Sequence, residues 1–526
     1  MTGRRASPQS DGGRRSSHQS GGGGRGSGAG RGISALAPEF VVGVLAVAVF
    51  GWSVGGPDPW TDELATLKVA SWPIGGIMTL AEHKDLVHLA YYLLVHPVWI
   101  LDHSIVAVRL VSVAAMAGAA VALVRIGRAL DGWPVGAAAG VMFSASAMAS
   151  RYAQEARPYA LVALLATVTT LALIRAVQSP FRKRRWVIYA ALLVATGVVN
   201  IMGMLIAVAH AVWVCWVPVP RRGAVILRWG VSMGVAGGML APFALRCLGQ
   251  IAQVGGIPHR PLLAELGDFA EWAWPSLGGA PPGWQLGLFT AIAAVVVGVW
   301  GSPGARRALV LGLAWGLIPP LALGVASQIH PLYRPRYVLV AVPGIALALG
   351  SLAGLRFARR LPRGVAVAVA VVLIPAVALA LAGLPLQQSQ RLSDGHDENF
   401  RRIAQILATE SRRGDGIVAL PFWYTTAFKT GFPLPAGMDE ITVDRDGPST
   451  ATIEGWEVGP RQAHERLEGY CRVWTVTREG NPGRTPTDAA VVQELSTGFE
   501  RVENHSAGDF DVELFVSRAA SCRSPG

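Results

Sequence analysis

The sequence predicts an all-α polytopic membrane protein of about eleven transmembrane helices, followed by a small extracytoplasmic α/β domain at the C-terminus. Three observations predict it. Of the 526 residues, 52% are apolar and 15% charged, against about 25% charged in soluble domains. The apolar residues fall in blocks of about 17 to 20, enough to cross ~30 Å of hydrocarbon at 1.5 Å per residue. Basic residues sit in short clusters between those blocks: Arg125 and Arg128, residues 182–185, Arg221, Arg222 and Arg228, Arg306 and Arg307, and residues 356–363. Lys and Arg resist translocation, so such clusters mark cytoplasmic loops.

Taken in order, residues 1–34 are rich in Gly, Ser and Arg; they hold too little apolar surface to pack and form a disordered cytoplasmic tail. The membrane module covers 35–386. With the tail inside, 40–56 runs outward, and 57–104 forms an outer loop. Residues 105–124 return to the basic cluster at Arg125, 133–150 go out and 158–174 come back. The uncharged run 186–220 lies between two basic clusters and holds two crossings, broken near 200–203. Residues 229–245, 286–300, 308–325, 338–355 and 364–386 then alternate out, in, out, in, out. One apolar stretch, 86–101, would reverse this parity if it crossed, so it reads as a helix along the outer interface, where Tyr91, Tyr92 and Trp99 suit the headgroup level.

Residues 387–526 form the outer domain. Helical spacing marks 397–413 and 488–495, and short strands are read at 416–420, 471–476 and 511–516. Cys471 and Cys522 form a disulfide if the domain is exported and are reduced core cysteines otherwise. No Cys/His ligand spacing appears. The net charge of +12 does not point to nucleic acid, which wants basic and aromatic residues mixed on one soluble domain.

The parity puts most acidic residues of the membrane module outside, with few cations beside them. Asp62 and Glu63 follow the first span, where Thr61 can cap a short helix; they either complement its dipole or deprotonate an acceptor. Lys84, Asp85 and His88 bring a cation, a carboxylate and an imidazole together. Arg151, Glu155 and Arg157 crowd a tight loop between two spans, where unpaired charge is costly. Arg334, Arg336 and Tyr337 lie at the mouth of a later span; a guanidinium fork suits phosphate. Several carboxylates and arginines on one side, beside hydrocarbon, are what a reaction between a membrane-borne sugar phosphate and a hydroxyl needs.

Residues 60–63, 85–96 (DLVHLAYYLLVH), Arg109-Leu110, 151–161 (RYAQEARPYAL) and 334–337 (RPRY) resemble the GT-C superfamily of membrane glycosyltransferases. Within it they are most like the bacterial family 39-like, polyprenyl-phosphate-sugar-dependent mannosyltransferase type. The resemblance spans about residues 40–386, and the C-terminal α/β tail is similar as well. It implies a polyprenyl-phosphate monosaccharide donor, mannose first among the sugars, and an inverting transfer to a glycan, lipid or protein acceptor. The general base maps onto Asp62, with Glu63 beside it, and Glu155 would orient acceptor or base. Lys84, Arg334 and Arg336 map onto the donor phosphate, with Arg151, Arg157 and Tyr337 beside them. Many relatives carry Pro-Pro-Leu before the paired tyrosines where this chain has Val87-His88-Leu89-Ala90, which leaves Asp85 and His88 as contributors to donor or substrate binding without an inherited role.

A sugar phosphate already has a good leaving group, so such an enzyme mainly aligns the acceptor and meets charge on the departing phosphate. The carboxylates admit a divalent metal, but no ligand spacing demands one. The rival class is a transporter or flippase of lipid-linked glycans. That class favours repeat symmetry and charged or broken helices at mid-membrane, whereas here charges gather at one face and no repeat stands out.

Overall fold

The computed structural model describes residues 28–526 apart from 255–256, 277–280, 357–363, 397, 479–482, 484, 520–521 and 523–526. Most of the tail expected over 1–34 and most of the basic cluster at 356–363 therefore lie outside the described residues. From Gly28 the chain is helical, so the first helix starts inside the expected tail.

That helix, α1 (Gly28–Gly51), leads to three short ones, α2 (Thr61–Ala70), α3 (Ile74–His83) and α4 (Leu89–Leu101). Then come α5 (Ile105–Leu130), α6 (Trp133–Ser144), α7 (Ala147–Ala153), α8 (Tyr159–Gln178), α9 (Lys183–Val199) and α10 (Leu205–Trp216). The body closes with α11 (Arg222–Gly249), α12 (Leu262–Ala273), α13 (Trp284–Trp300), α14 (Pro303–Ser327), α15 (Val342–Gly350) and α16 (Gly364–Ser389). Among the described residues, five helices are long and apolar enough to cross a membrane, and six shorter ones are apolar. On α11 the side chains of Leu227, Val231, Val235 and Met239 recur every fourth residue and are all exposed. An exposed apolar stripe of that length is a face made for lipid.

Small residues bring the long helices together. A Cβ on Gly127 of α5 would stand 2.1 Å from the Gly136 nitrogen of α6, and one on Gly344 of α15 would stand 2.6 Å from the Gly316 nitrogen of α14. Only glycine allows backbones to approach so closely.

The break expected near 200–203 is present. The Asn200 side chain accepts from the Met202 N–H at 3.0 Å and opens a 3-10 turn, Ile201–Met204. Two expected spans are less regular than the sequence implied. The stretch 133–150 is divided after Ser144, because the Ser146 hydroxyl starts α7 and donates to the Ala273 carbonyl at 2.8 Å. The stretch 338–355 is α-helical only over Val342–Gly350, between 3-10 turns at Pro335–Ala341 and Ser351–Gly354. Pro335 and Pro343 offer no N–H to a continuous α ladder.

The expected inner loops gather at one end of the body. Arg128 pairs with Glu39 at 2.7 Å, Ser302 donates to Asp131, and Arg221 and Arg228 lie over the Phe181 ring at 4.9 and 5.0 Å.

The C-terminal domain is a sheet between two helical layers. Its strands are β1 (Gly416–Leu420), β2 (Asp439–Glu440), β3 (Val443–Arg445), β4 (Trp456–Glu457), β5 (Arg472–Arg478), β6 (Phe499–Ala507) and β7 (Phe510–Ser517). The five-stranded sheet runs β2-β1-β5-β7-β6, parallel on the β1 side and antiparallel where β5, β7 and β6 meet. Helices α17 (Phe400–Glu410) and α18 (Thr425–Thr430) cover one face, α19 (Pro460–Leu467) and α20 (Pro486–Gly498) the other. The strands expected at 416–420, 471–476 and 511–516 are β1, β5 and β7, and the two expected helices are α17 and α20. Cys471 and Cys522 are disulfide-bonded, which decides between the two states the sequence allowed.

Candidate active site

Adjacent residues on an α-helix point about 100° apart, so Asp62 and Glu63 at the start of α2 meet different neighbours. Glu63 turns into the helical body. One carboxylate oxygen accepts from Arg109 Nε at 2.9 Å and the Ala156 N–H at 2.7 Å; the other accepts from Arg109 Nη2 at 2.6 Å. Both side chains are 0% exposed. Burial pushes the Glu63 carboxyl up, but the charge and hydrogen bonds of Arg109, with His396, outweigh it and hold the group well below the ordinary carboxylate range. Glu63 was expected beside Asp62 in the base; the structure instead makes it a buried strut that fixes α2 to α5. The same pair explains Arg109, a cation in an apolar helix that the topology alone left unaccounted for.

Asp62 turns the other way and keeps 29% of its side chain exposed. Its Oδ2 lies 3.5 Å from Arg336 and 3.8 Å from Arg157. The Arg336 guanidinium is boxed by aromatic faces, 5.4 Å from the Trp60 ring, 5.7 Å from Tyr337 and 6.0 Å from Tyr159. Arg157 is buried and donates to the Asp62 carbonyl at 3.1 Å and to His88 Nε2 at 3.2 Å. His88 Nδ1 in turn donates to Asp85 at 2.7 Å, and the Tyr92 hydroxyl donates to the same carboxylate. Burial raises the Asp85 carboxyl, but His88 and Arg157 more than offset it, so it stays ionised. Asp85 and His88 thus stand behind Arg157 and hold its guanidinium toward Asp62.

A cavity of about 320 Å³ opens beside Arg336, its walls including Trp60, Glu155, Trp272, Arg334 and Glu398. Glu155 is buried; one oxygen accepts from Arg151 Nε at 2.8 Å, while Oε2 has no hydrogen-bond partner among the described residues. Burial pushes its carboxyl above the ordinary range, with Arg151 opposing. Arg151 also donates to the Gly395 carbonyl at 2.6 Å. Of the three charges expected to pair within this loop, Arg151 and Glu155 do, and Arg157 goes to Asp62 and His88. Arg334 is exposed, lines the cavity and has no ion-pair partner among the described residues.

Lys84, expected at the donor phosphate, does not line this cavity; its ammonium pairs with Glu454 of the C-terminal domain at 2.9 Å. Thr61, expected to cap α2, donates both its N–H and its hydroxyl to Glu398, at 2.6 and 2.7 Å. Glu398, His396 and Arg478, all on the cavity wall, were missed by the sequence reading. They lie beyond the last span, Glu398 at the start of the stretch with helical spacing and Arg478 just past an expected strand, and only the fold brings them to α2. Among the described residues no cluster of three or more His, Cys, Asp or Glu stands ready for a metal ion.

The overall fold, an apolar helical body with a further domain beside it, is shared with solved structures. Among solved structures the chain is similar to ArnT from Cupriavidus metallidurans in the apo state, with a TM-score of 0.55 and 13% identity, over 95% of this chain and 100% of that one. The same protein bound to undecaprenyl phosphate gives a TM-score of 0.53 and 12% identity at the same coverage. The Archaeoglobus fulgidus oligosaccharyltransferase complex with Zn and sulfate gives 0.45 and 12%, over 83% of this chain and 67% of that one. No protein-family model matches the chain, and no curated protein matches it in sequence.

Proposed function

We propose that the chain is an integral membrane glycosyltransferase that moves a monosaccharide from a polyprenyl-phosphate donor to an acceptor hydroxyl, with inversion, at the outer membrane face. One observation carries this reading: the partly exposed Asp62 carboxylate, which is not itself on the cavity wall, lies 3.5 Å from Arg336, which lines the cavity together with Arg334, a guanidinium without an ion-pair partner among the described residues. Asp62 takes the proton as the acceptor oxygen attacks C1 of the sugar. The bond from C1 to the phosphate oxygen breaks, and its electron pair leaves with the polyprenyl phosphate. Arg334 and Arg336 meet the charge that develops there; charge-assisted guanidinium contacts to phosphate are among the stronger hydrogen bonds. A single displacement inverts C1, and the carboxylate contributes about 10²–10⁴-fold as general base.

The undecaprenyl phosphate bound to ArnT, a protein of the same fold, supports a lipid-phosphate donor. The Cys471–Cys522 disulfide supports an oxidising compartment for the C-terminal domain, with the N-terminus cytoplasmic. Mannose is the first sugar to try, on the family resemblance alone, and the acceptor is a glycan, lipid or protein. The reading is tested by incubating membranes holding the overproduced chain with radiolabelled polyprenyl-phosphate sugars and identifying the labelled product. Label in a new glycoside is expected. Label that stays on the lipid with every donor and acceptor fraction would overturn it.

A further inference from the structure

The helix that carries Asp62 is held from two sides. Leu67 and Ala70 of α2 pack with Tyr91, Val95, Val108 and Ala156 of the helical body, on the side where Glu63 meets Arg109. Thr61, Leu64 and Lys68, spaced three and four apart and so sharing one face, meet the C-terminal domain instead. Leu64 is part of that domain's core with Phe400, Tyr424 and Phe428, and Lys68 pairs with Asp446 at 2.5 Å. On either side of α2 the grip continues, with Asp58 paired to Arg401 at 2.6 Å and Lys84 to Glu454 at 2.9 Å.

Glu398 is the part of this contact that reaches the reactive carboxylate. A helix leaves its first N–H groups unsatisfied, and Trp60 at the N-cap position has no side-chain acceptor to offer. Glu398, 337 residues further along the chain, supplies one: a single oxygen accepts from the Thr61 N–H and the Thr61 hydroxyl, next to Asp62. Its other oxygen lies 3.3 Å from Arg478 at the end of β5, which is held in turn by Asp509 at 2.9 Å. Thr61 is thus tied to the C-terminal sheet through one carboxylate.

Resting on the transferase reading above, we infer that Glu398 is a positioning residue for Asp62, capping α2 in trans, and that docking of the C-terminal domain sets where the base stands. The helical body fixes one side of α2, through Glu63, and the domain fixes the other. A cap of this kind is strongest when the carboxylate is ionised, because the helix N-terminus carries partial positive charge. Burial pushes the Glu398 carboxyl up to about 7; the Thr61 donors and Arg478 oppose that shift and Asp62 adds to it. Arg478 is shared with Asp509 and the Tyr424 hydroxyl, and Arg151, Arg334, Arg336 and His396 line the same cavity. Capping therefore weakens as pH falls through neutrality, and turnover should fall with it.

The test uses the full chain in lipid nanodiscs, comparing wild type with Glu398→Ala, Glu398→Gln and Thr61→Val. Amide hydrogen exchange of the α2 peptide is read without substrate, and kcat and KM for sugar transfer are read from pH 5.5 to 8.5. Glu398→Ala is expected to speed exchange at the start of α2 about tenfold, within the range of a lost cap, and to lower kcat with donor KM unchanged. Glu398→Gln should restore protection and remove the step near pH 7 that the Glu398 carboxyl contributes to the pH profile, while the raised Glu155 carboxyl remains. Thr61→Val, which keeps the N–H and removes only the hydroxyl, gives a milder version of the first effect should the alanine variant fail to fold. Wild-type exchange in Glu398→Ala and Thr61→Val would overturn the inference, and so would lost kcat with unchanged exchange. Faster exchange in a chain whose wild type transfers no sugar would sink the transferase reading and leave the trans cap standing.

Discussion

Replacing Glu63 by glutamine separates two carboxylates that adjoin in the chain. Both oxygens of Glu63 accept hydrogen bonds, two from Arg109 and one from the Ala156 N–H. An amide NH2 in either place would therefore face a donor. Removing one partner of a fully buried ion pair costs about 3–5 kcal/mol. Arg109 keeps the carbonyls of Val54 and Pro57 at 2.9 Å each, which favours the low end, about 3 kcal/mol. The assay is thermal melting of the purified chain in detergent, beside Asp62→Asn. Glu63→Gln should melt roughly 3 °C lower, since the unfolding entropy of a chain this long is about 1 kcal/mol/K, and Asp62→Asn should melt with wild type. The pH trend follows from the depressed Glu63 carboxyl. Its stabilisation is present above the unfolded carboxylate's pKa of about 4.5 and is lost only as pH falls through the lower folded value, so this group leaves melting flat from pH 5 to 8. A Glu63→Gln protein with wild-type melting and no transfer would refute the reasoning and return Glu63 to the chemistry.

Asp62→Asn should lower kcat by about 10²–10⁴-fold, measured as transfer from a polyprenyl-phosphate sugar; near-wild-type turnover removes it as base. Arg336→Lys keeps the charge but loses the planar fork and its aromatic box. Donor kcat/KM should fall about 10–100-fold, the range of a lost charged hydrogen bond, and an unchanged value would take Arg336 away from the phosphate. The raised Glu398 carboxyl gives stability and turnover opposite trends. Because folding favours its protonated form, the stability it contributes declines as pH rises from about 4.5 to about 7, while turnover climbs; parallel trends in melting and kcat would contradict this. A reporter fused after Leu386 should behave as extracytoplasmic, and cytoplasmic activity would mean that the span parity is off by one.

The apolar blocks were legible because the membrane imposes a length on them, and most described helices overlap an expected span. Breaks were legible where a polar residue announced them, as Asn200 does, and hidden where one serine among small residues, Ser146, ends a helix through a contact 127 residues away. In the C-terminal domain the buried strands β1, β5 and β7 showed as apolar runs. Strand β6 did not. It is an edge strand that pairs only with β7, and its exposed Glu500, Arg501 and Asn504 leave no apolar run to mark it.

The site was half legible, and the reason is geometric. Sequence places charges in a compartment but does not say which neighbour each one faces. Asp62 and Glu63 are equivalent by composition, by compartment and by helix-dipole logic, and a turn of about 100° between them makes one a strut and leaves the other open. The choice is made by Arg109, whose position inside an apolar helix was itself a clue: a guanidinium there demands a buried carboxylate, and the first outer loop supplies two adjoining ones. Lys84 shows the converse. The family resemblance mapped it onto the donor phosphate, and the anion it finds is Glu454, on a domain whose docking no local pattern announces. The same docking brings Glu398 to Thr61. What sequence withholds about this site is therefore two things: which of two adjoining carboxylates turns toward Arg109, and the surface along which the C-terminal domain grips α2.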